Sequence, residues 1–269
     1  MANFFYDLKL YASILRLAIH TRMQYRSDFF IGLFGVIFSN LANLILIWII
    51  LEKFNALAAW SLYEVVLLYA IWLMSQGINA LFFWNMLGLE NYIVDGSFDQ
   101  YLIRPMNPFL QFIAREVNFM GFGDILLGVS IFIISYNRLH LSWSATQFLW
   151  LFIIVLSGTA ILASIYIIFS SVSFWTGRSK SLLRIGLRFQ QFGQRYPLDI
   201  FGQWYKVFVS FFFPIAFVNY YPLAGLLSKP NAVNMPILAY LSPFVAIILV
   251  LLAIIVWHFG INSYGSTGS

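Results

Sequence analysis

The chain has 269 residues, of which 61% are hydrophobic and 9% are charged, and its formal net charge is +5. Soluble domains have about a quarter of their residues charged, so this composition indicates an integral membrane protein. No cysteine is present, which excludes disulfides, cysteine nucleophiles and thiolate metal sites. Several apolar runs exceed the roughly 18 to 20 residues that a helix needs to cross the bilayer. The predicted fold class is an all-α polytopic membrane protein.

The first element, residues 1–28, is predicted to be an amphipathic helix that precedes the membrane domain. Lys9, Ser13, Arg16 and His20 recur at helical spacing, with apolar residues at the other angles. We expect this helix to lie in the membrane interface with its basic residues among lipid headgroups. A lead-in helix packed on the bundle is the alternative. Charges interrupt any apolar core here, so we do not expect a cleaved signal peptide.

Residues 29–269 are predicted to form one domain with six transmembrane helices. The predicted spans are residues 29–51, 64–84, 118–135, 147–175, 207–227 and 238–259. Two long polar segments, residues 85–117 and 176–206, separate them. Pro214 and Pro222 interrupt the fifth run, and such a break is tolerated only where protein or a water-filled cavity covers the backbone.

The distribution of Lys and Arg predicts the orientation, because cytoplasmic loops carry the excess. Four basic residues precede the first span, two lie in residues 85–117 and six in residues 176–206, which makes twelve of the 15. The sequence therefore predicts an N-in, C-in protein in which both polar segments are cytoplasmic. The six are expected to fix the topology and bind anionic headgroups, with an ATPase contact or an anionic substrate as alternatives. They are Arg178, Lys180, Arg184, Arg188, Arg195 and Lys206.

Five polar residues are possible pathway residues because they lie inside predicted spans. They are Asn40, Asn43, Gln76, Asn79 and Asp124. The four amides are expected either to form interhelical hydrogen bonds or to contact substrate. The carboxyl group is either structural or an intramembrane acid, since ionisable groups in a span are costly.

Motifs for nucleotide, metal or catalytic chemistry are missing from the sequence. It has no G-x-x-x-x-G-K-[ST] loop and no H-E-x-x-H motif, and its three histidines, His20, His140 and His258, fall on different elements. We therefore predict that the chain is not an enzyme and itself binds no metal or cofactor.

Residues 93–105 carry the most specific pattern, with the sequence IVDGSFDQYLIRP. The residues that fit I-x-x-G-x-F/L-D-x-x-L-[IL]-[RK]-P are Ile93, Gly96, Phe98, Asp99, Leu102, Ile103, Arg104 and Pro105. This pattern resembles the cytoplasmic loop of the six-helix permeases of type-2 ABC (ABC-2) exporters. Residues 196–201 (YPLDIF), 214–222 (PIAFVNYYP) and 264–268 (YGSTG) resemble the same branch, so the resemblance covers the chain end to end.

The resemblance implies that this loop, together with Glu90, is a coupling helix that rests in a groove of an ATPase subunit. The residues themselves predict a short helix whose acidic side, Glu90, Asp95 and Asp99, faces the cytosol. Ile93, Val94 and Phe98 would face the membrane, Gly96 would break the helix, and Pro105 would end it. A solvated connector is the alternative, although most helix connections are shorter.

The resemblance also implies a function and partners. It implies the permease subunit of an exporter in the bacterial plasma (inner) membrane, paired with an identical or paralogous permease. Two separate cytoplasmic ATPases would bind ATP and Mg; membrane lipids are further partners, and nucleic acid is not. A re-entrant outer gate would contain Pro214, Asn219, Tyr220, Tyr221 and Pro222.

The cargo is predicted from composition alone. An aromatic-rich, apolar interior favours a hydrophobic or amphipathic substrate, such as a lipid, a peptide or a drug-like compound. A stand-alone secondary transporter or channel is the alternative function, and it would need intramembrane charges for ion coupling.

Overall fold

The computed structural model describes residues 26–54, 57, 59–193, 195–229 and 235–265. Within these ranges the protein is helical, and β-type pairing is limited to one bridge between Leu57 and Trp60. The predicted interfacial helix falls on residues that are almost all outside the described ranges, as does most of the motif at residues 264–268.

Twelve α-helices occur in the described ranges, numbered here in chain order. They are α1 (Arg26–Phe54), α2 (Leu62–Phe83), α3 (Leu89–Val94), α4 (Asp99–Leu102), α5 (Pro108–Ala114), α6 (Met120–Arg138), α7 (Ala145–Ser171), α8 (Ser173–Thr176), α9 (Lys180–Gly193), α10 (Gln203–Val207), α11 (Tyr220–Leu226) and α12 (Ser242–Ser263). A 3₁₀ segment, Trp84–Gly88, continues α2 into α3.

Five stretches of the described chain are long and apolar enough to cross a membrane. They are Phe29–Lys53, Leu62–Val94, Met120–Arg138, Ala145–Thr176 and Ser242–Ser263. The predicted class, an all-α polytopic membrane protein, is confirmed. These stretches occupy the positions of the first four predicted spans and the sixth.

Helix α2 is the centre of the bundle, and nearly all of it is buried against α6 and α7. Glycines allow the closest approach, because a Cβ atom on Gly121 would lie 2.3 Å from the carbonyl oxygen of Gly77. Small residues at such positions let two membrane helices pack backbone against backbone. Helix α12 packs on the other side of α7.

The two ends of the Leu62–Val94 stretch define two faces of the protein. At one end Glu64 Oε2 accepts hydrogen bonds from the backbone N–H of Ser61 (2.7 Å) and from Lys229 Nζ (2.6 Å). We call this end the Glu64 face. The other end carries Glu90 and is called the Glu90 face.

The second polar segment, residues 176–206, runs from one face to the other. Near its start Glu90 Oε2 accepts hydrogen bonds from the backbone N–H groups of Ser179 (2.5 Å) and Lys180 (2.6 Å). Gln190 Nε2 donates to Gln76 Oε1 (3.3 Å), midway between Leu62 and Glu90. Further on, the Trp60 indole donates to Asp199 Oδ2 (2.8 Å) at the Glu64 face.

From residue 179 to residue 199 the contact partners move from Glu90 through Gln76 to Trp60. This segment therefore runs antiparallel to α2 and crosses the bundle. The sequence predicted a single cytoplasmic loop for residues 176–206, whereas the structure extends this segment along the bundle between the two faces. Hydropathy misses this crossing because α9 has only 14 residues, about 21 Å at 1.5 Å per residue, and carries two arginines. The helix α9 is amphipathic. Leu183, Gly186 and Gln190 on one side are buried, whereas Arg184 and Arg188 on the other are exposed.

The predicted fifth span, residues 207–227, is a bent pair of helical segments. Gln203–Phe212 and Ile215–Leu226 meet at 76°. The hairpin starts beside Asp199 and ends at Lys229, both at the Glu64 face, so it enters and leaves on that face.

The two prolines of this hairpin have different roles. Pro214 lies at the break between the two segments, as predicted. Pro222 lies in the first turn of α11, where a proline is tolerated because that N–H has no intrahelical acceptor. The prediction that Pro222 also breaks the run is therefore wrong.

Candidate functional site

The loop on the Glu90 face, residues 89–107, reverses direction at Gly96, whose φ is +71°. Asp95 Oδ1 accepts hydrogen bonds from the hydroxyl (2.7 Å) and the backbone N–H (3.2 Å) of Ser97. These bonds hold the pKa of Asp95 below its usual value. The backbone N–H of Phe98 donates to the carbonyl of Tyr92 (2.8 Å) and closes the turn. Glycine suits this turn because it adopts positive φ without strain.

Phe98 anchors this loop to the ends of two crossing stretches. Its side chain is fully buried, and its ring lies 5.2 Å from Phe174, 5.4 Å from Tyr264 and 6.3 Å from Trp257. The hydroxyl of Tyr264 donates to Asp99 Oδ1 (2.9 Å). Burial and this bond raise the pKa of Tyr264 to about 12. The loop is thereby attached to α8 and to the end of α12.

Glu90 attaches the same loop to α9. Its carboxylate occupies the start of that helix, where backbone N–H groups lack intrahelical acceptors and the helix dipole favours negative charge. The ammonium group of Lys180 also contacts the side-chain oxygen of Asn91. A displacement of α3 would therefore act directly on the N-terminus of α9.

The tip of the loop is exposed and apolar. The side chains of Leu102 and Ile103 are 40% and 83% exposed, and Arg104 and Pro105 are also exposed. The base of the tip is fixed because Gln111 Nε2 donates to the carbonyl of Met106 (2.7 Å). The tip therefore protrudes from the Glu90 face while its base is fixed, and it has a shape that can fit a groove.

The eight residues predicted for coupling therefore divide into anchors and a tip. The anchors are Glu90, Ile93, Gly96, Phe98 and Asp99, and the tip comprises Leu102, Arg104 and Pro105.

The contacts of the predicted faces of this loop are as follows. Glu90 and Asp99 do not point freely into solvent, because each accepts hydrogen bonds from another part of the chain. Of the three residues expected on the membrane side, Ile93 and Phe98 are buried within the protein and Val94 is 57% exposed. The helical turn between α3 and α4 reverses at Gly96, so one helical face does not continue through it.

The polar residues predicted inside the spans form two interhelical networks. Asn40 Nδ2 donates to Asp124 (2.6 Å) and Tyr69 OH donates to Asn40 Oδ1 (2.7 Å), which joins α1, α2 and α6. Asn43 Nδ2 donates to the Tyr69 hydroxyl at 3.3 Å. Sequence reasoning missed Tyr69, because a tyrosine in an apolar run looks like any lipid-facing aromatic residue.

The second network joins α2, α7 and α9. Gln76 Nε2 donates to the Tyr166 hydroxyl (3.3 Å), and Asn79 Nδ2 donates to Gln76 Oε1 (3.5 Å). Gln190, which the sequence placed in a loop, completes this network. Asn40, Asn43 and Gln76 thus form hydrogen bonds between helices, whereas the bond of Asn79 to Gln76 lies within α2.

The residues predicted for an outer gate lie in the re-entrant hairpin. Asn219, Tyr220 and Tyr221 are fully buried. Tyr220 OH donates to Asp199 (2.9 Å), and Asn219 Nδ2 donates to the carbonyl of Leu68 (3.2 Å). These polar groups therefore contact other parts of the protein at the Glu64 face.

The described residues contain no group of three His, Asp or Glu side chains that could hold a metal ion. The site consists of contacts between helices and an exposed tip, without a converging set of catalytic side chains in the ranges described.

These features define a multi-pass helical membrane protein with an anchored loop on one face and a re-entrant hairpin on the other. The family model for ABC-2 family transporter proteins matches residues 37–268. The chain belongs to this family, which confirms the family predicted from residues 93–105. No curated protein and no solved structure matches the chain.

Proposed function

We propose that the chain is the membrane-spanning subunit of an ATP-driven exporter whose ATPases are separate polypeptides. The observation that carries this proposal is the exposed tip around Ile103 on a loop that is bonded to α8, α9 and α12. A second permease, identical or paralogous, and two cytoplasmic ATPases would complete the complex in the bacterial plasma membrane. ATP and Mg would bind the ATPases, because this chain has no phosphate-binding loop.

Energy transfer would use two connections of the loop. Closure of the ATPases on ATP would press on the tip. The ring of Phe98 would pass this motion to the cytoplasmic ends of α8 and α12, and Glu90 would pass it to α9. Ligand and nucleotide would then shift a two-state equilibrium between inward-facing and extruding forms.

The orientation of this complex is also a proposal, with the Glu90 face in the cytoplasm. The crossing of α9 removes Arg184, Arg188, Arg195 and Lys206 from the cytoplasmic count. Eight basic residues would remain on the Glu90 side. Four would lie on the Glu64 side, namely Lys53, Arg138, Lys206 and Lys229. The excess of basic residues therefore still favours N-in, C-in.

The cargo would be hydrophobic or amphipathic and would move along a pathway between two permeases. The stand-alone transporter receives no support from the polar networks, because Asp124, the acid that ion coupling would use, is hydrogen-bonded to Asn40.

The proposal is tested by asking whether an ABC ATPase co-purifies with the permease from cells that express it. Ile103→Asp places a charge at the apolar tip, and we expect it to reduce ATPase recovery and substrate-stimulated hydrolysis at least about tenfold, as for loss of a buried interface anchor. Ile200→Asp is the matched control, since Ile200 is 40% exposed on the other face. Full ATPase recovery with Ile103→Asp, or no ATPase with the wild-type chain, would contradict the proposal.

A further inference from the structure

Helix α9 is unusual in the described part of the membrane domain because its exposed side carries arginines away from the helix ends. Arg184 and Arg188 lie one turn apart on one stripe, followed by Gln191, and all three are exposed. Within the described ranges neither guanidinium forms an ion pair, and Arg184 Nε contacts only the carbonyl of Lys180 (3.4 Å). Gln190 shows how deep α9 lies between the two faces, because it contacts Gln76, midway between Leu62 and Glu90.

The neighbouring crossings show what this protein exposes to lipid. The outward side chains along the middle of α12 are Ile247, Ile248, Leu251, Ile254 and Ile255. Those of α1 are likewise uncharged. Charged groups at mid-membrane depth are costly against lipid and almost always face a bundle interior or a water-filled cavity. Arg188 lies within one turn of Gln190, so it faces water or another subunit, and a second copy would bring its own arginines to the same axis.

The stripe has an apolar border and an opening at the Glu90 face. Ile185, which is 54% exposed, lies next to Arg188 on the exposed side of α9, and Leu182, which is 42% exposed, lines the same cleft as Arg184. A cleft of about 810 Å³ continues from the stripe to the Glu90 face, with Arg178, Lys180 and Arg184 on its wall. The cleft also has two carboxylates, but Glu90 is bonded to the start of α9 and Asp95 to Ser97.

We propose that this arginine stripe binds the anionic headgroup of an amphiphilic substrate. Guanidinium groups form strong, often bidentate, hydrogen bonds to phosphate and carboxylate groups. The headgroup enters the cleft from the cytoplasmic leaflet, contacts Arg184, and moves one turn along α9 to Arg188. Its apolar chain stays beside Leu182 and Ile185. This inference rests on the proposed function and narrows its cargo from amphipathic compounds in general to anionic ones.

The test measures binding of a fluorescent dodecyl phosphate to the purified chain in phosphatidylcholine nanodiscs. We expect Arg184→Gln with Arg188→Gln to weaken binding at least about tenfold, because two charge-assisted contacts are lost. Lys53→Gln with Arg138→Gln removes the same number of charges from the other face and should leave the affinity unchanged. Both double variants should keep the wild-type melting temperature, since the stripe is exposed.

Three competitors identify the chemistry of the ligand. Unlabelled dodecyl phosphate should displace the probe, whereas a neutral dodecyl ether and inorganic phosphate should not. Displacement by inorganic phosphate at the same concentration would overturn the amphiphile assignment, and equal binding by the stripe variant would overturn the site. The binding assay contains no ATPase. Absence of probe binding would therefore leave the proposed exporter function untouched, and absence of ATPase co-purification would leave a positive binding result untouched.

Discussion

Removing the Glu90 carboxylate should loosen the start of α9 and weaken the coupling of ATP hydrolysis to transport. Glu90→Ala leaves the backbone N–H groups of Ser179 and Lys180 without the acceptor that now lies at 2.5 and 2.6 Å. Hydrogen bonds to a charged group contribute about 1.5–3 kcal/mol each when shielded, and loss of a helix cap costs about 0.5–2 kcal/mol. Because Glu90 is partly exposed, we expect about 1–2 kcal/mol in total.

If the free energy of opening the first turn of α9 falls by about 1.4 kcal/mol, the population of molecules with this turn open rises tenfold. Hydrogen exchange of a peptide covering residues 179–186 should therefore become roughly tenfold faster in Glu90→Ala. The ratio of transport to ATP hydrolysis should fall, while ATPase recovery stays unchanged because the tip is intact. Glu90→Gln, which keeps an uncharged acceptor, should lie between wild type and alanine.

Glu52→Gln serves as the control, because it neutralises an exposed carboxylate on the opposite face. Wild-type exchange in residues 179–186 of Glu90→Ala would refute the structural part of the reasoning. Faster exchange with an unchanged transport ratio would show that α9 does not carry the coupling motion.

Three further predictions follow from other contacts. Gly121→Ala should destabilise the detergent-solubilised protein by about 1–3 kcal/mol, because its Cβ would overlap the Gly77 carbonyl; Gly35→Ala, with open space around it, should not lower the melting temperature. Tyr264→Phe removes the bond to Asp99 and should cost about 0.5–1.5 kcal/mol. Because the pKa of the Tyr264 hydroxyl is raised to about 12, its contribution to the stability of the folded protein is complete below pH 10 and is lost only as the pH rises through 12. The destabilisation caused by Tyr264→Phe should therefore be equal at pH 6 and pH 9. Asp199→Asn should weaken the attachment of the re-entrant hairpin, seen as faster proteolysis near residue 203, whereas a wild-type digestion rate would argue against that attachment.

The apolar crossings could be predicted from the sequence because hydrophobicity over a whole span is a local property. The spans at residues 29–51 and 147–175 correspond to the stretches Phe29–Lys53 and Ala145–Thr176. The turn at Gly96 could also be predicted, since glycine adopts the positive φ that such a reversal needs.

The crossing of α9 could not be predicted in the same way. A 14-residue amphipathic helix with arginines on one side has the composition of a cytoplasmic loop, and the positive-inside rule assigns it there. What identifies it as a crossing is its set of long-range contacts, from Glu90 through Gln76 to Trp60. The partner of Tyr264 was missed for a similar reason, because the bond to Asp99 joins residues far apart in the sequence.

The most direct test of the account asks whether residues 179–199 cross the membrane. The chain has no cysteine, so single-cysteine variants can be labelled in intact cells and in inside-out vesicles with a membrane-impermeant maleimide. Asn91→Cys and Ser181→Cys should react only from the cytoplasmic side, and Asn137→Cys and Ile200→Cys only from the outside. Labelling of Ile200→Cys from the same side as Ser181→Cys would contradict the crossing.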